Sequence, residues 1–149
     1  MGVLYGYYAA ADDEHAVRAV VREDAEPVGT GYDELVVKGI DPVVDLLPAE
    51  TLITGRPADE VKADPRHGAL IAMVGEGEAV AVSLTDGFRD ALAAFDRRLL
   101  DDVAVGWAAT GDFHSPPDPS DLARFLRALA DLADRAATRK HRLYCWICP

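Results

Sequence analysis

Apolar positions recur along this chain in two rhythms, and the clearer one is helical. Leu122, Phe125, Leu126, Leu129, Leu132, Ala133 and Ala136 fall three and four residues apart, which sets them on one stripe of a helix. Asp118-Pro119-Ser120 supplies the start, with a capping carboxylate ahead of a proline at the first helical position. Arg127, Asp131, Asp134 and Arg135 occupy the other side. There Arg127–Asp131 and Asp131–Arg135 have the i,i+4 spacing of ion pairs on a solvated face. The chain then closes on Arg142-Leu143-Tyr144-Cys145-Trp146-Ile147-Cys148-Pro149, an apolar run that predicts a C-terminal strand covered on both faces.

The second rhythm is that of short strands. Residues 3–8 are β-rich and predict a first strand, and Leu35-Val36-Val37 a brief one closed by Gly39. Residues 69–74 and 78–84 are apolar runs joined by Gly75-Glu76-Gly77, the pattern of a hairpin. Between them lie helical signals. Asp12 and Asp13 offer capping and first-turn carboxylates to a helix carrying Val17, Val20 and Val21. Residues 26–31 are a turn-rich break.

Asp41-Pro42 has the character of a helix start, with Pro48 interrupting and a second helical turn over 49–54 ending at Gly55. Residues 57–61 open another short helical piece before the loop Asp64-Pro65-Arg66-His67-Gly68. Thr85 or Asp86 caps a helix with Phe88, Ala91, Leu92 and Phe95 on one face. Residues 97–107 continue helically with Leu99, Leu100, Val103 and Trp107 inward, and 111–119 form a Pro-rich loop. No repeat, low-complexity tract or linker divides the 149 residues, so one domain over 1–149 is expected.

Charge narrows the partners. Twenty-six acids against 15 bases leave a net −11, which disfavours nucleic acid and anionic membranes. The basic cluster Arg139-Lys140-His141-Arg142 falls where the last helix ends, and cations there suit the negative pole of its dipole. No stretch approaches the ~20 apolar residues of a membrane span. The N-terminus lacks the basic region of a signal peptide, so a cytoplasmic location with reduced thiols is expected. Enrichment in Ala, Asp and Arg points to a bacterial source.

Both cysteines lie in the terminal strand, as the C-x-x-C pair Cys145 and Cys148. A redox pair of that type draws its thiolate from a helix starting after the first cysteine, and here the sequence stops one residue after the second. In an extended segment three residues separate the Cα atoms by roughly 10 Å. Their side chains then face opposite ways, beyond the reach of a disulfide. Metal binding by Cys145 and Cys148 is the lesser alternative, because His15, His67, His114 and His141 show no paired ligand spacing. Packing is the expected role, with no metal and no cofactor.

Other chemistry is weaker. His67 beside Asp64 suits a loop general base, and Asp112, His114 and Ser115 put a carboxylate, an imidazole and a hydroxyl close in sequence. An exposed turn histidine and a chance adjacency are the plainer readings. No G-x-S-x-G elbow surrounds Ser83, Ser115 or Ser120. Asp101-Asp102 and Asp12-Asp13-Glu14 lack the loop pattern of a calcium site. Tyr5, Tyr7, Tyr8 and Trp107 fit a core better than a pocket.

Three segments are similar to the YfbM-like family of uncharacterised bacterial proteins, defined by a domain of unknown function. They are Ile40-Asp41-Pro42-Val43-Val44-Asp45-Leu46-Leu47 through Leu52-Ile53-Thr54-Gly55, then Leu84-Thr85-Asp86-Gly87-Phe88-Arg89-Asp90-Ala91-Leu92 with Phe95-Asp96, Leu99-Leu100 and Trp107, and last the final helix with its strand. Where that family often carries Trp and His before the L-T-G turn, this chain has Val44, Leu46 and Glu50. The resemblance implies an α+β domain and carries no catalytic residues.

The pattern predicts an α+β fold: a small mixed or antiparallel sheet, including the N- and C-terminal strands, packed against several helices. The leading functional expectation is a non-catalytic acidic interaction protein, immunity-like or regulatory, that binds a basic protein partner. The alternative is a small-molecule-binding protein or hydrolase-like enzyme, with its pocket near His67 or His114.

Overall fold

A computed structural model of the chain describes residues 2–21, 32–110, 113 and 117–149. It contains strands β1 (Leu4–Ala10), β2 (Glu34–Lys38), β3 (Leu70–Val74), β4 (Ala79–Ser83) and β5 (Arg142–Cys148). Its helices are α1 (Asp13–Val20), α2 (Leu47–Thr54), α3 (Ala58–Ala63), α4 (Asp86–Ala94), α5 (Leu100–Thr110) and α6 (Pro119–Thr138). A short 3-10 turn, Arg97–Leu99, leads into α5.

The strands make one antiparallel sheet in the order β2-β1-β5-β4-β3, so the fold is α+β. The C-terminal strand is the middle one. β5 pairs with β1 from Leu4↔Cys148 to Ala10↔Arg142, and with β4 from Val80↔Ile147 to Ser83↔Tyr144. Strand alternation then assigns its side chains to two layers. Leu143, Cys145 and Ile147 join the larger cluster, with Tyr7, Phe88, Leu126, Leu129 and Trp107. Tyr144, Trp146 and Cys148 join the smaller one, with Tyr8, Ala10, Ala16 and Ala19.

Helix α6 lies across the larger layer against α4, α5, β1, β2 and β5. Every member of its expected apolar stripe is buried. Asp118 caps it, its carboxylate accepting from the Ser120 amide. At its other end Lys140 takes a left-handed backbone, φ 59°. The His141 amide there donates to the Ala136 carbonyl and the Lys140 amide to that of Ala137. Those two bonds satisfy carbonyls that a helix end would leave open. Among the described helices, α1 is the one that packs on the smaller layer. Tyr8 Oη donates to the Ala16 carbonyl at 2.8 Å, and the Tyr8 and Tyr144 rings stack with centroids 5.6 Å apart.

Several local expectations need correction. Asp41-Pro42 begins no helix: Asp41 Oδ1 accepts from the amides of Val43 and Val44 and closes a turn. Pro48 lies in the first turn of α2, where a missing N–H costs nothing, and Gly55 ends that helix at φ 74°. In α1 the small residues Ala16 and Ala19 are buried because the helix lies close on the sheet, while Val21 is exposed past its end. Leu99 is exposed because the 3-10 turn rotates it away from the α5 stripe. Arg127, Asp131 and Arg135 of α6 also pair outward rather than with one another. Arg127 meets Asp101, Asp131 meets Arg97, and Arg135 meets Asp33, since α5, the 3-10 turn and the chain before β2 bring counter-charges alongside.

Candidate functional site

The loop after α3 places both of its sequence candidates. Asp64 does not serve His67. One carboxylate oxygen accepts from the Arg66 amide at 2.9 Å, and the other lies 3.4 Å from Arg56 Nη1. His67 meets Asp64 through the backbone, its amide donating to the Asp64 carbonyl at 3.0 Å in a turn. Partial burial lowers the His67 pKa, outweighing the nearby Asp64 charge, so its imidazole is neutral at pH 7. Asp112 and His114 lie outside the described residues.

Cys145 is buried and Cys148 half-buried, and both are free thiols. They belong to opposite layers of the sheet, and burial pushes the Cys145 thiol well above its ordinary value. Among the described residues no group of three or more His, Cys, Asp or Glu side chains is arranged to hold a metal ion. Tyr7, Tyr8 and Trp107 are fully buried, with Tyr7 Oη donating to the Ile40 carbonyl and Trp107 Nε1 to the Asp45 carbonyl. These aromatics hold chain segments to the core.

The arginine between Pro65 and His67 organises a polar junction that sequence spacing alone hides. Arg66 donates from Nη2 and Nη1 to the two carboxylate oxygens of Asp13, at 3.1 and 3.3 Å. Tyr144 Oη donates to Asp13 Oδ1 at 2.7 Å, and the Arg66 guanidinium carbon lies 5.6 Å from the Tyr144 ring centroid. These bonds hold the Asp13 carboxyl below its ordinary range. On the other side Asp86, in the first turn of α4, faces Arg66 Nε at 3.8 Å, Arg89 Nη1 at 3.7 Å and Arg142 Nη2 at 3.5 Å.

Arg66 Nε and Asp86 Oδ1 are buried without a hydrogen bond. Arg89 also pairs with Asp90 and donates to the His141 carbonyl at 2.9 Å. The three guanidiniums therefore meet three carboxylates, and no net charge remains for an ionic ligand. The junction fastens α1, the 64–68 loop, α4 and β5 together. Its signal in the sequence was Arg66 itself, but Asp13 and Tyr144 are 131 residues apart and meet only through the fold.

Beside it lies a second buried polar contact. Glu50, on α2, is only 3% exposed. It accepts from Thr85 Oγ1 at 2.7 Å, and that same hydroxyl accepts from the Phe88 amide as the cap of α4. Burial raises the Glu50 pKa, against the pull of the Thr85 hydrogen bond and of Arg56. Thr85 is itself buried, so this pair closes the α2–α4 contact and offers no exposed nucleophile.

The surface shows one consistent asymmetry. Every described arginine is matched by a carboxylate: Arg18 by Glu14, Arg56 by Asp64, Arg66 by Asp13, Arg89 by Asp90, Arg97 by Asp131 and Arg98 by Asp96. Arg124 is likewise matched by Asp121, Arg127 by Asp101, Arg135 and Arg139 by Asp33, and Arg142 by Asp86. Asp59, Glu60, Glu76, Glu78, Asp102 and Asp134 are exposed and make no ion pair among the described residues. Only Lys38, Lys62 and Lys140 stand against them as exposed lysines. Among the described residues, the charge left unmatched is therefore negative.

No described helix is long and apolar enough to cross a membrane. Compared with protein-family models, with curated proteins and with solved structures, the chain finds no match.

Proposed function

We propose that this protein is a non-catalytic interaction domain whose acidic surface binds a basic protein partner, in an immunity-like or regulatory role. The observation that carries this reading is the internal matching of the described arginines, which leaves exposed, unpaired carboxylates on a chain whose net charge is −11. Such a surface steers basic partners and repels phosphate backbones and anionic lipid. The reading includes a cytoplasmic location, a bacterial source and membership of the YfbM-like family, on the residues that carry that resemblance.

Against a hydrolase-like role stands the state of the 64–68 loop, whose carboxylate is committed to Arg56 and to the Arg66 amide instead of orienting His67. Capture from a lysate of the host on the immobilised chain tests the proposal. A basic protein retained at low salt and released at moderate salt is the expected result. If nothing salt-sensitive is recovered, the proposal fails.

A further inference from the structure

The two edges of the sheet are finished differently. Strand β2 carries a charge at each end, Glu34 and Lys38, whereas residues 69–74, which include β3, hold neither a charge nor a proline. Those are the usual devices that keep an edge from pairing with another chain. β3 is the outermost strand on its side, so its backbone groups that point away from β4 have no neighbouring strand among the described residues. A row of apolar residues runs to this edge on the face of the larger layer. Val37, Tyr5, Ile147, Val80 and Met73 are successive cross-strand partners there.

Leu70 joins that row. The register slips between Leu70 and Ala72, so Leu70, opposite Val82, shares the face of Met73, opposite Val80. Helix α6 packs on β1, β2 and β5, and α4 on β5, while Leu70 and Met73 are left 61% and 54% exposed. Two carboxylates stand where β3 ends. Glu76 and Glu78, in the turn to β4, are exposed and make no ion pair among the described residues, and the Glu78 carboxyl lies beside Gly75. At the other end of the strand the charges are already paired, Asp64 with Arg56 and Arg66 with Asp13.

We infer that β3 takes an extended segment of a basic partner protein as a further strand of the sheet, an assignment that rests on the interaction reading above. The sheet is antiparallel throughout, and an antiparallel addition brings the N-terminal end of the incoming strand to the 75–78 turn. The segment that fits therefore has lysines or arginines first, against Glu76 and Glu78. Alternating apolar residues follow and cover Leu70 and Met73. Backbone bonds supply the affinity, and the glutamates set the direction. A second copy of the chain, paired through the same edge, would lay these glutamates near the other copy's 66–68 loop, where Arg66 is held by Asp13. It brings them no free cation.

The defined probe is a short synthetic peptide of lysines followed by alternating valine and threonine, titrated into the 15N-labelled full chain at two salt concentrations. The expected shift changes centre on Leu70–Val74, weaken as salt rises and come with slower hydrogen exchange of the β3 amides. Glu76→Lys with Glu78→Lys, both exposed turn positions, keeps the folded spectrum and weakens binding about tenfold. The same peptide N-methylated on its edge-facing amides does not bind. If the N-methylated peptide binds equally well, side chains alone hold the probe and strand addition is overturned. No binding of the parent peptide at low salt, binding centred away from β3, or a dimer of the free chain through β3 overturns it too. The interaction reading falls as well only when host-lysate capture recovers no salt-released partner.

Discussion

The indole of Trp146 fills the space that any side chain at Gly6 would need. A Cβ built on Gly6 falls 1.9 Å from Trp146 Cε2 and 2.1 Å from its Nε1. The two residues are direct partners across β1 and β5, and the indole reaches over β1 to donate to Glu34 Oε2 of β2 at 3.1 Å. The glycine is there for clearance, since no positive φ is needed in this strand.

Gly6→Ala therefore forces the indole or the strand to move, a destabilisation of about 2–3 kcal/mol read from urea unfolding. Combined with Trp146→Leu, the alanine costs much less than it does alone, because the overlap is gone. Additive losses in the double-mutant cycle would show that Gly6 acts through something other than the ring.

Glu50 gives the fold the opposite pH signature from that of an ion-paired acid such as Asp13, whose carboxyl is held below its ordinary value. Burial raises its folded pKa above the ordinary 4.5, so between that value and the raised one the folded chain holds a proton the unfolded chain has released. Its contribution to stability is greatest at acid pH and falls as pH rises through that window. Glu50→Gln keeps an acceptor for Thr85 and removes the titration. The variant is expected to be more stable than the parent at pH 7 and to match it below pH 4, by thermal unfolding across the range. A difference independent of pH would exclude Glu50 as its source.

The two thiols should differ sharply in the native state. Cys145 is buried with a raised pKa, while Cys148 is half-buried near the sheet end. Native protein treated with iodoacetamide is expected to acquire one label, at Cys148 by peptide mass analysis, and a second only on unfolding. Two labels at equal rates, or an oxidised pair, would contradict the opposed placement.

Lys140 holds a backbone angle that suits glycine, with φ 59° at the end of α6. A side chain there costs about 1 kcal/mol, partly offset by the lower entropy of an unfolded chain without glycine. Lys140→Gly is expected to raise Tm slightly, corresponding to about 0.5 kcal/mol. A clear loss of stability would mean that the lysine makes a contact worth more than the strain.

The legibility of this fold followed locality. The α6 stripe, the hairpin at Gly75–Gly77 and the alternation of β5 depend on spacing within one segment, and all three are present as their patterns imply. The ion pairs of α6 were misread because spacing identifies possible partners only along the same helix. Arg135 instead meets Asp33, 102 residues away. The Asp41-Pro42 start failed for a related reason: a capping residue and a proline suit a turn as well as a helix, and the segment closes as a turn on Asp41 Oδ1.

By itself the sequence determined the class of the fold, the burial of the terminal strand and the acidic excess, since hydrophobic period and net charge are properties of the chain as written. Only the tertiary structure decided which charges cancel. It joined Asp13, Arg66 and Tyr144 into one junction and set Trp146 over Gly6. The physical reason is that pairing energies fall off within a few ångströms, and which groups come that close is settled by how the sheet and helices pack.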